Sequence, residues 1–210
     1  INTDEVTQLF EELEFNSLYE RLGELEGDEL PTMGSRENVL EAEPTIVTSE
    51  RQCVELLEAL AEKQQPVSLG WLADDEGSLV ALAAVCESGT AEVMVIETQF
   101  LKDKQVQSSL EEFLRADGIG FDTHDAKKLS RGLRKLGLES EGLKVDTAIA
   151  GYLLDPSGGR YVLDDLLMKY CRTEIVRSDV VEAGQLDLDG GSHDQLLDVA
   201  RDALAINRLA

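Results

Sequence analysis

The chain has 210 residues, 42% of them hydrophobic and 30% charged, so it can bury a core without disulfide staples and is too apolar for wholesale disorder. It carries 43 acidic and 19 basic residues, a net charge of −24. A chain this acidic is repelled by phosphate and gains nothing from counterion release, which argues against autonomous nucleic-acid binding and against an anionic membrane surface as partner.

Residues 1–44 read as an extension. Val6, Leu9, Phe10 and Leu13 recur at helical spacing, and Ser17-Leu18-Tyr19-Glu20 matches a capping box that restarts a short second helix. Residues 23–44 then turn acidic and irregular around Gly27, Pro31, Gly34 and Pro44, the composition of a linker. The main domain is expected over 45–210. Thr45-Ile46-Val47 is a short β-prone run. Ser49-Glu50-Arg51-Gln52 is a capping box ahead of a helix with Cys53, Leu56, Leu57 and Leu60 on one face. Strands are expected over 67–72, 79–85 and 92–96, with Gly77 and Gly89 at the turns, as an antiparallel meander.

Helices and strands alternate after that. Val106, Leu110, Phe113 and Leu114 mark a helix, and residues 118–121 a short strand. Leu129, Leu133 and Leu136 mark a helix closed by Gly137. Helices over 146–154, stopped by Pro156, and 162–170 follow. Residues 172–192 read as loop, and Ser192-His193-Asp194-Gln195 as the cap of a last helix carrying Leu196, Val199, Ala203 and Ile206. The order is that of an α/β fold, a mixed sheet flanked by helices.

Few common signatures of chemistry are present. There is no GxGxxG, Walker loop, GxSxG or HExxH. Cys53, Cys86 and Cys171 fit no zinc or CxxC spacing and read as reduced, buried thiols of a cytosolic protein. His124 and His193 read as surface or capping residues. Lys127, Lys128, Arg131, Arg134 and Lys135 crowd one helix, as a solvated face or, less simply, a phosphate contact. Asp74, Asp75 and Glu76 read as a hairpin turn rather than a metal site. No segment reaches the ~20 apolar residues of a membrane span, and nothing resembles a secretory leader. The start at Ile1 suggests a piece of a longer protein.

The run Asp146-Thr147-Ala148-Ile149-Ala150-Gly151-Tyr152-Leu153-Leu154-Asp155-Pro156 and its continuation Gly159-Arg160-Tyr161-Val162-Leu163-Asp164-Asp165-Leu166, ahead of Lys169-Tyr170, resemble the 3′–5′ exonuclease domain of the family A DNA polymerases, a branch of the DEDD exonucleases. His124-Asp125-Ala126-Lys127-Lys128-Leu129 resembles the second exonuclease motif, and the segment from Leu9 to Leu18 the connection from a 5′-nuclease domain. The resemblance implies a ribonuclease-H-like fold and four carboxylates holding two divalent metals. Its first motif sets an Asp and a Glu two residues apart on one strand face. Here Gly70 and Leu72 stand in those places. Asp125 keeps the second carboxylate, and Ala200 and Leu204 replace the Tyr and Asp of the third motif. Asp202 is near in sequence but about 200° around the helix from Leu204.

The resemblance therefore implies a silent, proofreading-like domain with no functional catalytic residue, no cofactor of its own and only Asp125 as a weak metal candidate. Leu72, Leu204 and Trp71 are expected to plug the old cleft, which removes the cost of unpaired buried charge. Mg²⁺ and DNA would belong to the parent polymerase, a cytoplasmic enzyme of replication and repair. The partners would be the polymerase and 5′-nuclease domains of the same chain, with the fragment itself a monomer. The alternatives are an active exonuclease with ligands displaced to Asp74, Asp75, Glu76 or Asp202, and a free-standing acidic adaptor.

Overall fold

A computed structural model describes residues 39–62, 66–85, 91–115, 120–177 and 190–210. The expected helices over 6–13 and 17–20, Cys86 and Gly89 lie outside the described residues. The compact body begins at Val39. The linker expected to run to residue 44 therefore ends sooner: Leu40 is buried, its amide donates to the Glu174 carbonyl, and Val39 bridges Glu174.

Six strands form one mixed sheet. They are β1 (Glu43–Ile46), β2 (Val67–Ala73), β3 (Leu79–Val85), β4 (Glu92–Glu97), β5 (Phe121–Thr123) and β6 (Leu143–Asp146), in the order β1-β4-β3-β2-β5-β6. The expected meander is β2-β3-β4, antiparallel throughout. Its first turn closes through Gly77, with φ +78°, where the Gly77 amide donates to the Asp74 carbonyl and the Ser78 amide to Asp74 Oδ1. That is the hairpin reading of Asp74-Asp75-Glu76, and backbone donation from Ser78 holds the Asp74 carboxyl below the usual range. The remaining pairs, β1 on β4, β5 on β2 and β6 on β5, are parallel.

Seven helices stand among the described residues: α1 (Glu50–Ala61), α2 (Thr98–Leu101), α3 (Lys104–Arg115), α4 (Ala126–Lys135), α5 (Thr147–Leu154), α6 (Leu163–Cys171) and α7 (Gly190–Leu209). Ser49 caps α1 by accepting from the Gln52 amide. The other arm of the expected box lands one residue early, with Gln52 Oε1 accepting from the Thr48 amide at 3.0 Å. The strand expected over 118–121 starts instead at Phe121, with Gly120 taking φ +89° before it. The last helix starts at Gly190, so Ser192 lies inside it rather than capping it.

Strand alternation sorts the core into two layers. Val67, Leu69, Leu82, Ile96 and Phe121 face α1, α3 and α4, where they meet Leu57, Leu60, Leu110, Phe113, Leu129 and Leu133. Ala81, Ala83, Val85, Val93 and Val95 face α6 and α7, where they meet Leu167, Val199, Ala200, Ala203 and Leu204. Helices covering both faces of a sheet with parallel pairs at both ends make the chain α/β, with the ribonuclease-H-like sheet order.

Candidate exonuclease-like cleft

The parallel strands β5 and β6 end level with the middle of β2, and open α/β sheets bind ligands outside such carboxyl ends. A cleft of about 500 Å³ opens there, lined by Gly70 and Trp71 of β2, by His124, Asp125 and Lys128 around the start of α4, by residues 160–164, and by Asp202 and Ile206 of α7. Two of the five candidate positions, Gly70 and Asp125, reach it. Leu72 packs beneath α7, and Ala200 and Leu204 are fully part of that core. The expected plug is thus corrected: Leu72 and Leu204 fill the layer under α7, while Trp71 alone of the three lines the cleft.

Gly70 is where α7 lands. A Cβ built on Gly70 would overlap the Val199 carbonyl oxygen and lie 2.7 Å from the Ala203 amide nitrogen and 3.1 Å from its Cβ. Across the strand Gly70 pairs with Ala83 in register. Small residues on both sides let backbone meet backbone, so there is no room for a carboxylate at position 70 unless α7 moves. The glycine and the helix seat explain one another.

Asp125 is held by its neighbours. Its backbone is left-handed, φ 54° and ψ 57°, a conformation that costs a non-glycine residue and persists where surroundings fix it. Asp146 is the fixing group. Its Oδ1 accepts from the Asp125 amide at 3.2 Å and its Oδ2 from the Ala126 amide at 2.8 Å, while Oδ1 also caps α5 through the Ala148 amide. Trp71 Nε1 donates to the His124 carbonyl at 3.0 Å from the other side. One carboxylate thereby satisfies the starts of two helices. His124 is corrected from a surface residue to a half-buried one, its Nδ1 2.9 Å from Thr147 Oγ1. Burial lowers its pKa against the opposing pull of Asp146 and Asp125.

Each carboxylate at the cleft has a cation beside it. Lys128 Nζ lies 2.6 Å from Asp125 Oδ2. Arg177 reaches two acids: its Nε donates to Asp164 Oδ2 at 3.0 Å, and its Nη1 lies 2.7 Å from Asp202 Oδ1. The second contact is close but poorly aligned, since Asp202 Oδ1 is buried without a hydrogen bond of good geometry. Burial pushes the Asp202 carboxyl up to about 6, Arg177 pulls it back, and Asp164 and Asp198 add to the rise. Burial opposes the charge on Arg177, but the hydrogen bond to Asp164 and the charge of Asp202 win and raise its pKa.

This donor set does not fit a two-metal site. Among the described residues no three His, Cys, Asp or Glu side chains converge as a cation would require. The two acids nearest the old positions already neutralise basic side chains. Asp202 faces the cleft while Leu204 faces the core, as their spacing on the helix implies.

Sequence reasoning missed Arg177, which reaches the cleft across more than a dozen residues from Asp164, and Asp146, whose role is visible only when two helix starts meet. It also missed Asp122, a buried carboxyl paired in register with Ser68, whose pKa burial raises. The basic residues of α4 do share a helix whose other side buries Leu129 and Leu133.

No family model matches the chain. It is 38% identical over 65 residues to DNA polymerase I of Mycobacterium bovis, and equally to that of Mycobacterium tuberculosis, a match covering 31% of this chain and 7% of the relative. Its fold is similar to Pol1 of M. smegmatis, solved with DNA primer-template and dNTP, with a TM-score of 0.61 and 22% identity over 79% of this chain and 26% of that one. The catalytic core of RRP6 from Trypanosoma brucei matches with a TM-score of 0.59 and 14% identity, over 86% of this chain and 49% of that one. The Trypanosoma brucei RNase D solved with GMP matches at 0.58 and 14%, over 80% and 57%. The chain thus spans a small part of the polymerases it matches. Sheet order and these likenesses give the chain a ribonuclease-H-like fold, similar to those of Pol1, RRP6 and RNase D, and a stretch of 65 residues similar to DNA polymerase I.

Proposed function

We propose that the chain is a catalytically silent proofreading-like domain of a DNA polymerase I, a structural spacer and packing partner for the polymerase and 5′-nuclease domains of one polypeptide. The observation that carries this reading is the seat of α7 on Gly70, which leaves no space for a metal-binding carboxylate at that position of β2. The vestigial positions are Gly70, Leu72, Asp125, Ala200 and Leu204. Four of them lie in or against the core beneath α7, and Asp125 is engaged by Lys128. Two hard cations need several oxygen ligands free to coordinate. In this reading Mg²⁺ serves only the polymerase portion, contact with DNA is made through the parent enzyme, the work is replication and repair in the cytoplasm, and the domain alone is a monomer.

One observation favours a rival. Asp202 turns toward the cleft and with Asp125 would give two carboxylates to an active exonuclease with displaced ligands. Degradation of 3′-labelled single-stranded DNA, with Mg²⁺ and then Mn²⁺ and a working proofreading domain beside it, separates the two. The silent reading expects no cleavage. Cleavage abolished by Asp125→Ala or Asp202→Ala would establish the rival.

A further inference from the structure

The helix α5 is apolar on every side yet lies on the surface. Its sequence, Thr147-Ala148-Ile149-Ala150-Gly151-Tyr152-Leu153-Leu154, holds no charge. Only Thr147 and Gly151 are buried. Gly151 makes the seat, because a Cβ there would meet Leu166 Cδ2 at 2.7 Å. Ile149, Tyr152 and Leu153, at i, i+3 and i+4, form a stripe facing away from the body. Ile149 is 56% exposed, and Leu153 and Leu154 are 71% exposed each. Val162, also exposed, stands at the entry to the adjoining α6. A helix hydrophobic all round is normally covered, and a contiguous exposed apolar surface marks an interaction site.

The surface is also braced by its neighbours. Tyr152 and Tyr161 pack edge to face with centroids 5.7 Å apart. Tyr161 donates to the Asp155 carbonyl at 2.8 Å, and Lys169 of α6 holds Asp155 at 2.8 Å. A preorganised face loses little entropy on docking.

We infer that α5 is the face on which the polymerase portion of the same polypeptide packs. This rests on the reading above that the domain is carried in a polymerase. Three observations choose this occupant over others. In the M. smegmatis Pol1 structure the matched fold occupies 26% of the chain, so a much longer stretch of the same polypeptide is available to cover it. The stripe itself is short, two turns or about 12 Å of helix, against the ~800 Å² a side that a stable free-standing dimer buries. A small apolar contact suffices when the partner is tethered at high effective concentration. An uncharged face on a chain of net charge −24 offers nothing to a nucleic acid.

The test uses the complete natural polypeptide with a single added cysteine, at Leu153→Cys or Leu154→Cys on α5 or Lys127→Cys on α4, and follows the extra maleimide label each takes up. All three positions are exposed on the body. The α5 cysteines should react at least tenfold more slowly than the α4 one. Equal rates would overturn the inference. So would a dimer of the polypeptide that Leu153→Glu dissolves, which would make a second copy the occupant. DNA cleavage in the nuclease assay would sink the silent-domain reading and leave these rates untouched, so the two fail separately.

Discussion

Where α7 crosses β2 and β3 the protein sets small residues face to face, and beside that crossing, at the carboxyl ends of β5 and β6, it is built from ions. Gly70, Ala81, Ala83, Ala200 and Ala203 let helix backbone lie on strand backbone in a dry contact. Asp125, Asp164 and Asp202 persist only a short way along, each with Lys128 or Arg177 against it. The carboxylates that line the cleft each have a cation in reach, whereas glycine and leucine stand where helix backbone closes over the strand. Desolvating a charge without a partner costs several kcal/mol, whereas filling the same volume with apolar atoms stabilises.

The contrast breaks most severely at Gly70. Gly70→Asp would place an unpaired charge against the Val199 carbonyl, and should cost about 3–5 kcal/mol in urea unfolding. Unchanged stability would mean that α7 sits less tightly than described. Leu204→Ala, in the same dry layer, should cost about 2–5 kcal/mol through the cavity left behind. On the ionic side the expected effects are smaller, because water screens the partners. Arg177→Met should cost roughly 1–2 kcal/mol, between the exposed and buried limits for losing an ion pair. Trp71→Phe, which removes one hydrogen bond to the His124 carbonyl, should cost about 1 kcal/mol.

The pH dependence sharpens the same comparison. The Asp202 carboxyl titrates near 6 in the folded protein against an ordinary 3.8. The proton is held more tightly folded than unfolded, so this group's contribution to stability is complete below about pH 4. It is lost as the pH rises through 6. Thermal unfolding of Asp202→Asn should show a flatter profile across that window than the parent. Asp155 works the other way. Its hydrogen bonds from Lys169 and Ser157 hold it near 2, so its contribution is present above 3.8 and fades as the pH falls through 2. An Asp202→Asn profile as steep as the parent's would remove Asp202 from the ionic layer.

Much of this was legible in the residues. The meander could be read because alternating apolar residues flank turns of glycine and acids, and α4 because Leu129 and Leu133 recur one turn apart. The expectation that Gly70, Leu72 and Leu204 stand in place of carboxylates came from resemblance alone, and helical geometry separated Asp202 from Leu204. Other elements carried too little signal. The edge strand β6 has two exposed residues, Leu143 and Lys144, and two half-buried ones, Val145 and Asp146, and α2 is one turn long. Arg177 shows no local pattern at all, because its partners on α6 and α7 come from distant parts of the chain. The reason for Gly70 was hidden too: a close approach of α7 leaves no mark in the strand's own sequence.

The most direct test of the proposal that the cleft holds no metal is a Mn²⁺ titration followed by electron paramagnetic resonance. The parent chain would be compared with Asp125→Asn and Asp202→Asn. The account predicts that the three titrations superpose, since both acids are engaged by basic side chains and β2 supplies no ligand. A bound-ion signal in the parent that either substitution removes would contradict it.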